Sequence, residues 1–328
     1  MPAPFGTHNG GMSSTTPVPV RRDVLSWIGV GVAGAALAVV AWACLTGWGG
    51  IVHGHPAYAI LLSITALGAL GFGAIALLRP VRAGLWRRIG RIAAVVLALL
   101  WVFVLAWLRP YPAVEPALEA MRSDASVDVV ESGTRIVMQP TGGASATGIF
   151  FQPGALVDPR AYAAVLRPLA ESGYTVVIVK QPLGIAFFSL GEFDAVVSEN
   201  SDVQEWVLAG HSLGGTVAAI QADGDATGVA AGLVFYASYP ASDISATLDV
   251  PTLSISGTRD GLATPDKIDA SRADLPAATQ FVVVEGASHA QFGAYGPQPG
   301  DNEPEISDDD ARAQISSSTL DFIEALAG

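Results

Sequence analysis

The 328-residue chain contains a single cysteine, Cys44. That excludes an intrachain disulfide, and one thiol inside an apolar run carries no information about redox compartment. Charge is also scarce, at 14% of residues, and it is divided unevenly. Residues 1–108 hold seven Arg and only one acid, Asp23. Residues 109–328 are poor in bases, with ten Lys and Arg against 29 Asp and Glu, a net of −19. So acidic a segment is a poor partner for nucleic acid or for an anionic lipid surface. No internal repeat occurs at solenoid periods. His53 and His55 have no third ligand nearby, so they do not make a metal site. Neither a metal nor an organic cofactor is indicated elsewhere.

What the chain has in excess is apolar sequence, 51% of residues, with a mean hydropathy of +0.44. That combination suggests membrane segments joined to a soluble domain. Residues 1–22 are rich in Gly, Ser, Thr and Pro and are expected to form a disordered cytoplasmic terminus. Three apolar runs follow within residues 23–108, from Val24 to Trp48, Ala57 to Leu78 and Ile92 to Leu108. Each is long enough to cross, or nearly cross, a hydrocarbon core of about 30 Å. Trp48 is placed as an interface anchor. Arg21 and Arg22 precede the first run, no Arg lies in the loop from Gly49 to Pro56, and Arg79, Arg82, Arg87, Arg88 and Arg91 precede the third. The positive-inside rule then puts the N-terminus and the second loop in the cytoplasm and the acidic domain outside it. If the third run were instead a helix of the soluble domain, that side would reverse.

Residues 109–126, with Pro110, Pro112 and Pro116, read as a short stiff linker, and residues 127–328 as the soluble domain. A small helix is expected over Ala117 to Met121. The apolar segments Val127–Val130 and Thr134–Met138 suggest an opening hairpin. Further strands are expected at Gly148–Phe151, Tyr174–Val179, Val207–Ala209, Gly232–Tyr236, Thr252–Ser256 and Phe281–Val284. Between them, helical spacing covers Pro159–Ser172, Leu183–Val197, Leu213–Gln221 and a segment from Pro265 to Arg272 with Thr264 as its N-cap. A terminal helix opens at Ser307 with three successive aspartates. Strands alternating with helices specify a mostly parallel sheet with helices on both faces.

One stretch organises this domain: Val207-Leu208-Ala209-Gly210-His211-Ser212-Leu213-Gly214-Gly215. An apolar strand ends at a serine and turns at once into a helix. Gly210 and Gly214 flank Ser212 in a G-x-S-x-G pattern, because so sharp a turn needs small neighbours. The helix start supplies a free N–H, from Leu213, and a dipole favourable to an oxyanion. The pentapeptide alone is a weak signal, and its context strengthens it. Asp260 follows one later strand in Gly257-Thr258-Arg259-Asp260-Gly261, and His289 follows the last in Gly286-Ala287-Ser288-His289. The order Ser, Asp, His suits an α/β hydrolase sheet, with all three at the carboxyl ends of strands. In this reading His289 takes the proton of Ser212 and Asp260 orients the imidazole. Asp243 and Asp266 are alternatives for the acid. The second oxyanion donor is expected from the loop after the Gly148–Phe151 strand. Pro153 has no N–H there, and Ala155 is the choice.

The segments Gln152-Pro153-Gly154-Ala155-Leu156-Val157-Asp158-Pro159-Arg160-Ala161-Tyr162, Gly210-His211-Ser212-Leu213-Gly214-Gly215, Gly257-Thr258-Arg259-Asp260-Gly261 and Ser288-His289 resemble the α/β-hydrolase superfamily. They are most similar to its small, lid-poor branch near dienelactone hydrolase and bacterial carboxylesterases. The resemblance covers about residues 115–328. Pro153-Gly154 stands where many relatives have His-Gly. The nucleophile position holds Ser212 rather than the cysteine of dienelactone hydrolases, so that narrower activity is not implied. What is implied is an α/β-hydrolase fold behind three transmembrane helices, acting on a small-molecule carboxylic ester or thioester through an acyl-enzyme. The partners are that substrate and the lipid bilayer. Competing expectations are a non-catalytic binding protein on the same fold, and a lipase or acyltransferase of envelope lipids. The stretch Ala237–Pro251 is too short for a large lid, which leaves an open cleft. Lys180 is a candidate for a substrate carboxylate or, more simply, a structural ion pair. Phe187, Phe188 and Phe193 are candidates for an acyl pocket or for core.

Overall fold

The computed structural model describes residues 22–79 and 84–326. The expected disordered terminus, apart from Arg22, lies outside the described residues, as does Arg82 of the second loop. Three long helices come first: α1 (Val24–Val52), α2 (Pro56–Leu78) and α3 (Leu85–Trp107). All three are long and apolar enough to cross a membrane. At 1.5 Å per residue, even the 23-residue helices exceed a core of about 30 Å. Large apolar side chains such as Ile64, Leu67, Leu97 and Phe103 point outward from them. The third helix begins seven residues before the apolar run that marks it. Arginine is a good helix former, and its long stem lets the charged head reach the helix end, so Arg87, Arg88 and Arg91 join the first turns. Arg91 forks onto Asp23, the N-cap of α1, at 2.7 and 2.8 Å, which ties α3 to the start of α1.

After a single-turn helix α4 (Ala117–Ala120), the strands are β1 (Val127–Glu131), β2 (Arg135–Pro140), β3 (Thr147–Gln152), β4 (Thr175–Val179), β5 (Glu205–His211), β6 (Ala230–Tyr236), β7 (Thr252–Gly257) and β8 (Gln280–Val284). They form one sheet in the order β1-β2-β4-β3-β5-β6-β7-β8. β1 and β2 pair antiparallel and β2 joins β4 antiparallel, while every later pair is parallel. The helices are α5 (Ala163–Glu171), α6 (Glu192–Glu199), α7 (Leu213–Asp223), α8 (Pro265–Ser271) and α9 (Asp308–Leu326). This is an α/β-hydrolase fold. Alternate residues of the central strands feed two cores. Ile149, Phe151, Val207, Ala209 and Val234 pack toward α5 and α9, and Phe150, Leu208, Leu233 and Phe235 toward α6 and α7. Strands buried on both faces need apolar residues at every position, which is why they read as unbroken runs.

One local expectation fails. The segment Leu183–Val197 is not one helix. It makes two short 3-10 turns, Pro182–Gly184 and Ala186–Ser189, before α6 begins at Glu192. Leu183 itself sits at φ 57°, and Pro182 and Gly184 beside it favour a turn over a helix. Thr264 stands at the N-cap of α8 as expected, with Pro265 in the first turn, although its hydroxyl makes no capping bond. The proline-rich stretch after α3 is docked on the domain. The Tyr111 N–H donates to the Leu156 carbonyl at 2.7 Å, the Asp158 N–H donates to the Tyr111 carbonyl at 2.9 Å, and Ala113 and Ala117 enter the larger core.

Trp206 on β5 is fully buried, and a Cβ added at Gly148 on the neighbouring strand would meet its ring at 2.9 Å. Trp206→Ala is expected to cost about 3–5 kcal/mol of stability. Denaturant titration of the detergent-solubilised protein measures it, and a loss no larger than that of an exposed Val283→Thr control would contradict this packing.

Candidate active site

Ser212 ends β5 with φ 52° and ψ −125°, a left-handed conformation that costs a non-glycine residue on the order of 1–3 kcal/mol. The surrounding backbone holds it there. A Cβ at Gly214 would collide with the carbonyl oxygens of Gln152 and Pro153, and one at Gly210 would lie 2.5 Å from Gly214. The loop after β3 and the first turn of α7 therefore touch backbone to backbone, which only glycine allows. The Ser238 hydroxyl donates to the Ser212 carbonyl at 2.6 Å, and the Ser212 N–H to the Tyr236 carbonyl at 3.0 Å. Ser212 remains half-buried, open toward the carboxyl edge of the sheet.

Asp260 and His289 meet at that edge. His289 Nδ1 lies 2.8 Å from Asp260 Oδ2, with both side chains buried. The other carboxylate oxygen, Oδ1, accepts the N–H groups of Leu262 and Ala263 at 2.7 Å each. Asp260 thus caps its own turn and holds the imidazole at once. Asp243 caps Ser245 instead, and Asp266 lies exposed on α8. Among the described residues His289 Nε2 is buried without a hydrogen-bond partner, and no hydrogen bond joins it to Ser212. The His289 ring centroid is 4.5 Å from that of His211, the residue before Ser212. Catalytic hydrogen bonds are often long in unliganded proteins and tighten when substrate binds.

The N–H groups of Leu213 and Ala155 both lack a hydrogen-bond partner among the described residues. Gly154 does not share that freedom, because its N–H donates to the Tyr162 hydroxyl at 2.9 Å. The hydroxyl is also hydrogen-bonded to His211 Nδ1 at 2.8 Å, in a direction that follows the imidazole tautomer. Sequence spacing marks Tyr162 only as part of an apolar helical face, and the structure adds this polar role. Burial, and then the nearby His289, hold the His211 pKa well below the ordinary histidine value. Burial also pushes the Tyr162 hydroxyl far above the ordinary tyrosine value. The network is neutral at physiological pH.

Asp301 carries no sequence signal, standing in a Gly- and Pro-rich loop. Its Oδ1 accepts the N–H groups of Gly261 at 3.0 Å and His289 at 3.1 Å, and its Oδ2 that of Ala290 at 2.9 Å. One carboxylate therefore clips the acid loop to the histidine loop. Lys180 is buried and paired with Glu131 at 2.7 Å, so its charge is already matched within the protein. Phe193 is core, stacked edge-on against Phe150, whereas Phe187 and Phe188 are exposed and belong to neither core nor enclosed pocket. Residues 237–251 form neither helix nor strand.

Among known proteins, a family model described as "Alpha/beta hydrolase family" matches residues 148–313. No curated protein matches. Solved structures with a similar fold include a dienelactone hydrolase from Anabaena variabilis ATCC 29413, 18% identical over 62% of this chain and 96% of that one, with a TM-score of 0.45. A thermophilic esterase from Thermogutta terrifontis is 17% identical over 62% and 92%, with a TM-score of 0.42. An alpha-beta serine hydrolase homologue from Coxiella burnetii is 19% identical over 60% and 98%, again with a TM-score of 0.42.

Two measurements test the site's construction. Between the ordinary histidine pKa of about 6.5 and the lower folded value of His211, the unfolded chain binds a proton that the folded one excludes. Stability from this group is therefore complete above the ordinary value and is lost as pH falls below it. His211→Asn is expected to flatten the acid side of a Tm-against-pH curve, and an unaltered slope would contradict the buried neutral imidazole. Asp301→Ala is expected to lose about 1–3 kcal/mol by leaving the N–H groups of Gly261, His289, Ala290 and Asn302 without their acceptor. Denaturant titration reads that loss, and a neutral result would show the clip to be dispensable.

Proposed function

Because the chain belongs to the alpha/beta hydrolase family, we propose that it is a membrane-anchored serine hydrolase cleaving carboxylic esters or thioesters. The observation that carries the proposal is the buried Asp260–His289 pair, whose free Nε2 lies at the same sheet edge as a serine in a strained turn. Unpaired buried polar atoms are uncommon and call for an explanation, and a substrate-dependent proton transfer supplies one.

In the proposed mechanism Ser212 Oγ attacks the carbonyl carbon while His289 Nε2 takes its proton. Asp260, on Nδ1, holds the tautomer and stabilises the imidazolium. The carbonyl oxygen becomes an oxyanion held by the N–H groups of Leu213 and Ala155, each typically worth about 3–4 kcal/mol of barrier. Collapse breaks the bond to the alcohol or thiol, which leaves with the proton from His289. Water, deprotonated by the same imidazole, then attacks the acyl-Ser212 ester and releases the acid. The free N–H groups support this assignment of donors, and their location at a helix start and a tight loop makes them rigid. The arginine distribution supports placing the domain outside the cytoplasm.

A membrane-impermeant fluorophosphonate applied to intact cells tests both parts. Labelling is expected on the wild type and absent from Ser212→Ala. Labelling only after cell lysis would put the domain on the other side. No labelling of folded protein would favour a non-catalytic binding domain.

A further inference from the structure

The carboxyl edge of the sheet, which carries the candidate site, is also the edge seated on the anchor. The loop after β3 places Leu156 in a cluster with Ile51, Tyr58, Leu62 and Leu105 of the three long helices. The loop after β4 adds Leu183 and Ile185 to the same cluster, and the Leu156 N–H donates to the Gly184 carbonyl at 2.8 Å. Pro110 lies against Gly50 of α1, where a Cβ would meet it at 3.1 Å. His53, just after α1, pairs with Glu131 at 3.0 Å, and Glu131 pairs with buried Lys180 at the end of β4. A hydrolase domain could be tethered by any face. Here the face bearing Ser212 is turned toward the helix ends.

The same β4 loop shows unpartnered apolar surface. Phe187, Phe188 and Leu190 are 44%, 59% and 43% exposed, and they are three of the seven large exposed hydrophobic residues described beyond residue 108. Concentrating them in four residues is unusual for so acidic a surface, and exposed apolar patches mark interaction sites. Their position says with what. Residues 182–184 pack on α2, and Leu183 and Ile185 join the cluster of Tyr58 and Leu62 near its start. The Phe-Phe segment thus follows directly after a contact with the start of α2, where that helix would leave the hydrocarbon. It is also joined to the site. Ser189 donates to Gln152 at the end of β3, and Gln221 of α7 donates to the Ser189 and Leu190 carbonyls.

We propose that Phe187, Phe188 and Leu190 dip into the interface of the bilayer that α1–α3 span, and that the substrate is a fatty-acyl ester delivered from that bilayer. The inference rests on the serine-hydrolase reading and names its substrate class. A net charge of −19 over residues 109–328 repels anions, so the alcohol part carries no net negative charge. Aromatic side chains continuous with a transmembrane bundle gain by entering the interfacial layer, while a serine edge facing it receives esters held at headgroup depth. Hydrolysis breaks the acyl–oxygen bond with water, leaving the alcohol in the membrane and the fatty acid as carboxylate.

The test uses the full chain in phosphatidylcholine proteoliposomes. Release of oleate from dioleoylglycerol in the same bilayer is compared with hydrolysis of water-soluble p-nitrophenyl acetate. The wild type is expected to turn over both, and Ser212→Ala neither. Phe187→Ser/Phe188→Ser is expected to lower the ratio of the two rates by about tenfold or more, because two apolar anchors are lost. Phe187→Leu/Phe188→Leu is expected to restore most of that ratio. A ratio unmoved by the serine pair, or hydrolysis of the acetate with none of the dioleoylglycerol, would overturn the bilayer route and leave the hydrolase reading intact. Failure on both esters would instead overturn the hydrolase reading.

Discussion

Where α7 leaves Ser212, main chain packs on main chain. Gly214 sits so close to the carbonyls of Gln152 and Pro153 that no side chain fits, and this contact brings the β3 loop and the helix start together. Several features follow from it. Ser212 is forced into left-handed backbone, which lifts its side chain to the sheet edge. Among the described residues the first N–H of α7 has no acceptor, and neither has the Ala155 N–H of the β3 loop bent past it. The strain at one residue is held by two layers of close-packed strand and helix that could not relax it without opening the core.

A second polar layer supports that contact from beneath. Tyr162 receives the Gly154 N–H and is hydrogen-bonded to His211, so the loop's path is tied to the residue preceding the serine. His211 is then stacked 6.0 Å from Phe292 and tilted against His289. Asp260 and Asp301 complete the arrangement from the other side, one holding the imidazole and the other the backbone that carries it. Each of these carboxylates accepts at least three hydrogen bonds, which offsets the cost of removing it from water.

The junction with the three long helices uses the same loops. Small residues near the end of α1 let Pro110 approach, and Tyr111 bridges to Val157 just beyond. The chain leaving α3 is consequently pinned to the β3 loop within a few residues. Asp158 and Arg160, a buried pair 2.7 Å apart, sit between that loop and α1. Rotation of the domain about its tether would break these bonds together. The orientation of the sheet's carboxyl edge is therefore a property of the fold and not of a loose linker.

Much of this was legible in the residues. Unbroken apolar strands, helices with one apolar face and the G-x-S-x-G turn are local patterns, set by side-chain period and by glycine's freedom over a few residues. The three apolar helices likewise follow from composition alone, since runs of that length and hydropathy are long enough to cross a membrane. Other decisions belonged to tertiary structure. Three aspartates were open as partners for His289, and the choice of Asp260 came from which strand ends lie side by side. Lys180 found Glu131 rather than a ligand because the antiparallel β2–β4 pairing brings the β1–β2 turn to the end of β4. Asp301, with no motif of its own, joins loops 40 and 12 residues away. Phe187 and Phe188 look like core by hydrophobicity, yet they lie outside it. Hydropathy records how much a residue gains by leaving water, while only the packed chain determines whether protein or some other apolar phase receives it.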